Sequence, residues 1–175
     1  MCTFSGLQAD ARVLIDHARF EAQSFRFNME DQPTIEYLSR QIAEHQQKYT
    51  QKPGVRPFGV SMLYAGFQDG APKLFLSEPS GAHTEWKANA IGRNASTLRE
   101  FMEKKWAPNL DNDSTVTLAV ETLLEVVEDA ANIEIIVCTG DKQFSSVDEA
   151  ALKRTVILLK QAKEEEEARK KKKKD

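Results

Sequence analysis

The chain has 175 residues, of which 41% are hydrophobic and 29% charged, with a formal net charge of -3. That length suits one domain with a real core, mean hydropathy of -0.51 without a long apolar run excludes a membrane-spanning helix, and the charge gives no case for nucleic-acid binding by the fold. Cys2 and Cys138 are too few for a disulfide scaffold or a zinc site and fit a reducing compartment, and Met1–Ser5 has neither the basic start nor the apolar stretch of a signal peptide.

In chain order, Cys2-Thr3-Phe4 reads as a strand stub that reaches a turn at Ser5-Gly6. A helix over Leu7–Phe27 follows, with Ala11, Leu14, Ile15, Ala18, Ala22 and Phe25 on one face. After a turn at Asn28–Gln32, Pro33 suits the first turn of a second helix. Ile35, Leu38, Ile42 and Tyr49 mark that helix, which ends before Pro53-Gly54. Phe58–Phe67 is nearly all apolar and fits a strand buried on both faces. Gln68–Pro72 is a turn, Lys73–Ser77 and His83–Ile91 are strands, and the three strands form an antiparallel meander.

Helices then return. Asn94 caps a helix with Leu98, Phe101 and Met102 inward. Asp113 or Ser114 caps another, with Val116, Val120, Leu123, Leu124 and Val127 inward. Ile133–Cys138 is a strand, and Ser146-Val147-Asp148-Glu149 is a capping box opening a last helix. That helix continues into a run of acids, Glu164–Glu167, and of bases, Arg169–Lys174, where Glu165–Arg169, Glu166–Lys170 and Glu167–Lys171 are favourably ordered pairs. Strands do not alternate with helices, so the fold class is α+β, with residues 1–162 as one domain and 163–175 as a charged tail.

The search for chemistry yields little. His17 and His45 stand on separate helices without a His or Cys four residues on, and read as polar helix positions. Ser80 lies near His83 but lacks the elbow of a nucleophilic serine, so Pro79-Ser80-Gly81 reads as a turn. No phosphate-cradling glycine motif is present. Cys2 is the sharpest enzymatic candidate, as an amino-terminal nucleophile exposed by loss of Met1. Against it stands its reading as a small strand residue. The charged tail reads either as a nuclear-import or partner-binding segment or as a solvated helix end.

Three segments together resemble a known family. Ser5-Gly6-Leu7-Gln8-Ala9-Asp10-Ala11-Arg12 is similar to the strand-to-helix signature of 20S proteasome α-type subunits. Tyr49-Thr50-Gln51 with Val55-Arg56-Pro57-Phe58-Gly59-Val60-Ser61 resembles the next signature. Glu78-Pro79-Ser80-Gly81 with Trp86-Lys87-Ala88-Asn89-Ala90-Ile91-Gly92-Arg93 resembles the third. Glu30–Leu38, Arg99–Lys104 and Leu123–Val127 look most like the branch that fills the fourth position of the seven-membered α ring.

The resemblance implies a four-layer αββα sandwich of antiparallel sheets, as in the amino-terminal-nucleophile hydrolases. It implies a non-catalytic structural subunit of the outer α ring that supports ubiquitin-dependent degradation, without cofactor or metal, in cytoplasm and nucleus. Its partners would be other α and β subunits and regulatory particles, with no nucleic acid and no membrane. Family α subunits carry a gating tail, a first helix and roughly four strands before the Ser5-Gly6-Leu7 motif, where this chain has Met1–Phe4. It is therefore expected to be an amino-terminally shortened form with unpaired strand edges, poorly soluble or oligomeric alone. Of the activator pocket only Gly6 and Leu7 match positions near its wall, and gating is not assigned to the chain. A Cys2 or threonine-type peptidase, or a tail-mediated interaction protein, is the alternative.

Overall fold

A computed structural model describes residues 1–108, 110–127, 130–140 and 143–172; for residues 130 and 162–172 only the backbone is described. The chain forms two units, one built on Met1–Ala95, the other on Ser96–Thr139 and the chain from Gln143 onward.

In the first unit the elements are β1 (Cys2–Gly6), α1 (Gln8–Met29), α2 (Ile35–Gln51), β2 (Val60–Gln68), β3 (Ala71–Ser77) and β4 (His83–Trp86). The strands form one antiparallel sheet in the order β1-β2-β3-β4, which confirms the meander and adds a fourth strand to it. The amino-terminal strand therefore does not stop at a turn at Ser5-Gly6. It pairs along its whole length with β2, from Cys2 opposite Tyr64 to Gly6 opposite Val60. Ser5 and Gly6 stay extended because Gly6, at φ 131°, tolerates a backbone that a side chain would clash with.

The apolar periodicity of α1 and α2 lays both helices on the same sheet face. Ala11, Leu14 and Ile42 pack there against Val60, Met62, Tyr64 and Phe75, with Ile15 and Ala18 half-buried beside them. Burying side chains such as Leu14, Ile42 and Met62 stabilises by roughly 1.5–3 kcal/mol each. On the opposite face Leu63 and its register partner Leu76 are also buried, so β2 is covered on both sides as its apolar run requires. The β2–β3 turn is tighter than read from the sequence. Only Asp69 and Gly70 form it, both at positive φ (53° and 74°), as a two-residue hairpin turn demands.

Two further boundaries differ. Pro33 lies outside α2, because Thr34 is the cap, its hydroxyl accepting the Tyr37 N–H at 3.1 Å. The strand read over His83–Ile91 stops at Trp86, the last residue with a partner on β3. Beyond it the Asn89 side chain accepts the Ala90 N–H, a local bond that competes with a ladder.

The second unit holds α3 (Ala95–Lys105), α4 (Asn112–Leu123), a short 3-10 turn (Ala130–Asn132), β5 (Ile136–Cys138), β6 (Phe144–Ser146) and α5 (Glu149–Lys172). Its core is Val120, Ile133, Leu152 and Val156, with Val116, Leu123, Leu124 and Val127 packed around it as the spacing predicts. Asp111, not Asp113 or Ser114, caps α4, its carboxylate accepting the Ser114 N–H at 2.9 Å. The strand read over Ile133–Cys138 is shorter and pairs with β6 in a hairpin. Ser146 therefore serves as a strand residue opposite Ile136 and not as a helix cap, and α5 begins at Glu149. The α5 backbone stays helical through Lys172; the side chains of the three tail ion pairs, and residues 173–175, lie outside the described residues.

Candidate functional site

The first two resembling segments meet at the junction of β1, α1 and the strand entering β2. Asp10, in the first turn of α1, is buried and turns its carboxylate toward Arg56 and Gly59. Both Arg56 guanidinium nitrogens donate to it, at 2.7 and 2.9 Å, and the Gly59 N–H donates at 2.9 Å. The Leu7 N–H in turn donates to the Gly59 carbonyl at 2.9 Å. These bonds hold the Asp10 carboxyl down at about 2, the Arg56 contact first and the Gly59 N–H second, against the opposing effect of burial. The same contact raises the Arg56 guanidinium.

Gly6 and Gly59 make this closure sterically possible. A Cβ on Gly6 would lie 2.2 Å from the Gly59 carbonyl oxygen, and one on Gly59 would lie 2.8 Å from the Leu7 side chain. Phe58 is buried in the core beneath α1 and α2 and packs its ring 4.6 Å from Tyr49. Leu7 is 52% exposed at the cap of α1. Pro57, Arg12 and Gln51 are exposed around the junction or on its helices.

The third segment divides. The loop holding Pro79 and Gly81 lies against α2, where Gly81, at φ 85°, approaches so closely that a Cβ would sit 2.4 Å from the Gln47 Cβ and 2.9 Å from the Ala43 carbonyl. Trp86 ends β4, its indole N–H donating to the Thr84 hydroxyl at 2.7 Å, and Lys87 is exposed. Gly92, at φ 102°, passes Ser5: a Cβ there would be 3.0 Å from the Ser5 hydroxyl. Gly6, Leu7, Asp10, Arg56 and Gly59 therefore form one cluster, with Gly92 touching the same strand, while Pro79, Gly81, Trp86 and Lys87 lie elsewhere on the sheet and α2.

Chemically this is a joint. Its carboxylate, Asp10, is committed to three donors. Cys2 is exposed on β1. His83 approaches the Ser39 hydroxyl at 2.8 Å, but Ser39 is fully buried and also bonds the Glu36 carbonyl, so this pair ties α2 to β4. Burial, with Arg40 nearby, lowers the His83 imidazole.

His17 and His45 stand on separate helices, α1 and α2, as read from the sequence, but the fold brings them into contact. Their rings lie 4.1 Å apart, and His45 also contacts Tyr49 and Phe58. The signal was present: His45 falls three residues after Ile42 and four before Tyr49, on the core face of α2. Gln46, fully buried, likewise went unremarked; its amide donates to the Val60 carbonyl at 3.0 Å.

The β1–α1 joint and the strand it enters lie within a region, residues 1–139, that matches the proteasome subunit family model. The chain belongs to the proteasome subunit family. Within it, the chain is similar to alpha-type members. It is 49% identical over 160 residues to proteasome subunit alpha type-4 of Saccharomyces cerevisiae, covering 88% of this chain and 63% of that protein. With proteasome subunit alpha type-7 of Cicer arietinum it shares 49% over 155 residues, covering 87% and 62%. With proteasome subunit alpha type-8 of Mus musculus it shares 49% over 150 residues, covering 82% and 60%. The chain thus spans about three-fifths of the length of these relatives.

Proposed function

We propose that the chain acts as a non-catalytic, α-type structural subunit of the 20S proteasome outer ring, supporting ubiquitin-dependent degradation in cytoplasm and nucleus. The 49% identity to an alpha-type subunit over most of the chain, with the Asp10–Arg56–Gly59 joint inside the region that matches the family, carries this reading. In it, residues 1–162 contribute to a four-layer αββα sandwich, and 163–175 form a tail. Partners are the other α and β subunits and, beyond them, regulatory particles, with Gly6 and Leu7 at the wall of the activator pocket.

The outer face of α1 supports the reading. Val13, Phe20 and Phe27 recur at seven-residue spacing and are 55%, 69% and 86% exposed, a stripe suited to a neighbouring subunit. Co-expression with the remaining subunits followed by native sedimentation tests it. The chain is expected in the 20S fraction, and a Phe20→Ser/Phe27→Ser variant is expected to stay in the light fractions. A chain that never leaves the light fractions, or a thiol-reactive peptide probe whose labelling is abolished by Cys2→Ala, would overturn it.

A further inference from the structure

We propose that His17 and His45 form an acid-sensitive clasp between α1 and α2: the rings pack together and hold the helices, and proton uptake by His45 below neutral pH loosens the contact. The two imidazoles come from different helices, their centroids 4.1 Å apart and their planes inclined by 38°. His45 is wedged further in, 5.1 Å from the Tyr49 ring and 5.6 Å from Phe58. Phe58 immediately precedes Gly59, which Asp10 holds, so the clasp abuts the β1–α1 joint.

The surrounding charges decide the direction. From α1, the Glu21 carboxylate lies 3.9 Å from His17 Nε2 and supplies a counter-ion when His17 is charged. From α2, Lys48 acts on His45 with the same sign as a charged His17, and Glu21 opposes both. The Tyr49 phenol is the other titratable group of α2 in contact, and the segment before β2 contributes Phe58 and Lys52, whose ammonium stands 5.9 Å from the Tyr49 ring centre. Asp16 and Arg19 pair with each other in solvent. Burial is the first cause and His17 the second that lower the His45 imidazole. A histidine lowered in the folded state binds its proton more readily once the contact opens. Stability is therefore complete at neutral pH and falls as pH drops through the ordinary imidazole range toward the lower folded value.

Hydrogen–deuterium exchange of the 175-residue chain at pH 7.5 and 5.5, corrected for intrinsic exchange, reads the clasp directly. Acid is expected to raise opening of the α1 amides around His17, which His83 does not touch, by roughly threefold or more. His45→Leu, which keeps an apolar filler, is expected to abolish that rise, and His17→Gln to cut it at least about twofold. His83→Gln should leave it in place, since His83 serves the separate Ser39 contact. Equal acid sensitivity in the parent and in His17→Gln, no acid effect in the parent, or loss of the effect in His83→Gln would each overturn the clasp. His17, being partly exposed, gives a variant that decides the question even if His45→Leu does not fold.

Discussion

Replacing Asp10 is the most informative perturbation of the joint. Its carboxylate accepts two guanidinium bonds and one backbone N–H. The carboxyl sits near 2 where an unperturbed one sits at 3.8. At about 1.4 kcal/mol per factor of ten in acidity, that difference sets a ceiling near 2.5 kcal/mol. The Arg56 side chain is 64% exposed, so solvent screening reduces the charge contribution to about 1 kcal/mol. The charge-assisted bond to the Gly59 N–H adds about 1.5 kcal/mol. Asp10→Ala is therefore expected to cost about 2–2.5 kcal/mol, and Asp10→Asn, which keeps an acceptor for Gly59, about 1 kcal/mol. Urea unfolding in a Trp106→Phe background, with Trp86 reporting on the first unit, measures both. A double-mutant cycle with Arg56→Ala should return a coupling near 1 kcal/mol. Because the folded carboxyl is depressed, the contribution is complete above about pH 4 and disappears as pH falls toward 2, and Asp10→Asn should flatten that slope. An Asp10→Ala variant within about 0.5 kcal/mol of the parent, or a coupling of zero, would refute the joint.

Other positions give sharper contrasts. Gly6→Ala places a Cβ 2.2 Å from the Gly59 carbonyl at φ 131° and should cost upwards of about 3 kcal/mol in thermal or urea unfolding. Gly70→Ala, at φ 74° with nothing within 4 Å, should cost only about 1 kcal/mol. Asp111→Ala removes the α4 cap and should cost about 1 kcal/mol, read by exchange of the Ser114 amide. Tyr64, buried with its hydroxyl 3.2 Å from the Ser77 hydroxyl, has its phenol raised by burial; its ionisation should be missing from an alkaline absorbance titration until the chain unfolds.

What the sequence made legible follows from what each signal encodes. The α1 and α2 faces were readable because alanine, leucine and isoleucine at helical spacing have one way to be buried, and Leu14 and Ile42 are indeed fully buried. The apolar run of β2 was readable for the same reason. Caps and ends were misplaced where two residues offered the same local bond: Asp111 outcompeted Asp113 and Ser114 for the α4 terminus. Ser146 looked like a cap until β6 was found opposite Ile136, and a three-residue exposed strand has no periodicity to announce it. The Asp10–Arg56 bond joins residues 46 apart, and only tertiary closure brings them together, although both stood in the segments that carried the family resemblance.

The same contrast explains what glycine and charge do together in those segments. Gly6 and Gly59 let two backbones meet where a Cβ would collide, and Asp10 then needs only to supply acceptors for the Gly59 N–H and for Arg56. A carboxylate held near 2 is a poor general acid or base at neutral pH, because its conjugate acid is almost absent there. Its physical effect is to fix the start of α1 against β2. That fixation sets the direction in which α1 leaves the sheet, and with it the outward face bearing Val13, Phe20 and Phe27. The His17–His45 contact is made farther along the same helix, so α1 is held near its first turn by a bond that survives to strong acid and at its middle by one that yields as pH falls below the ordinary imidazole range. Exchange measured along α1 on acidification should accordingly rise around His17 before it rises at Leu7 and Asp10; the reverse order would show that the joint, not the histidine contact, is the weaker of the two.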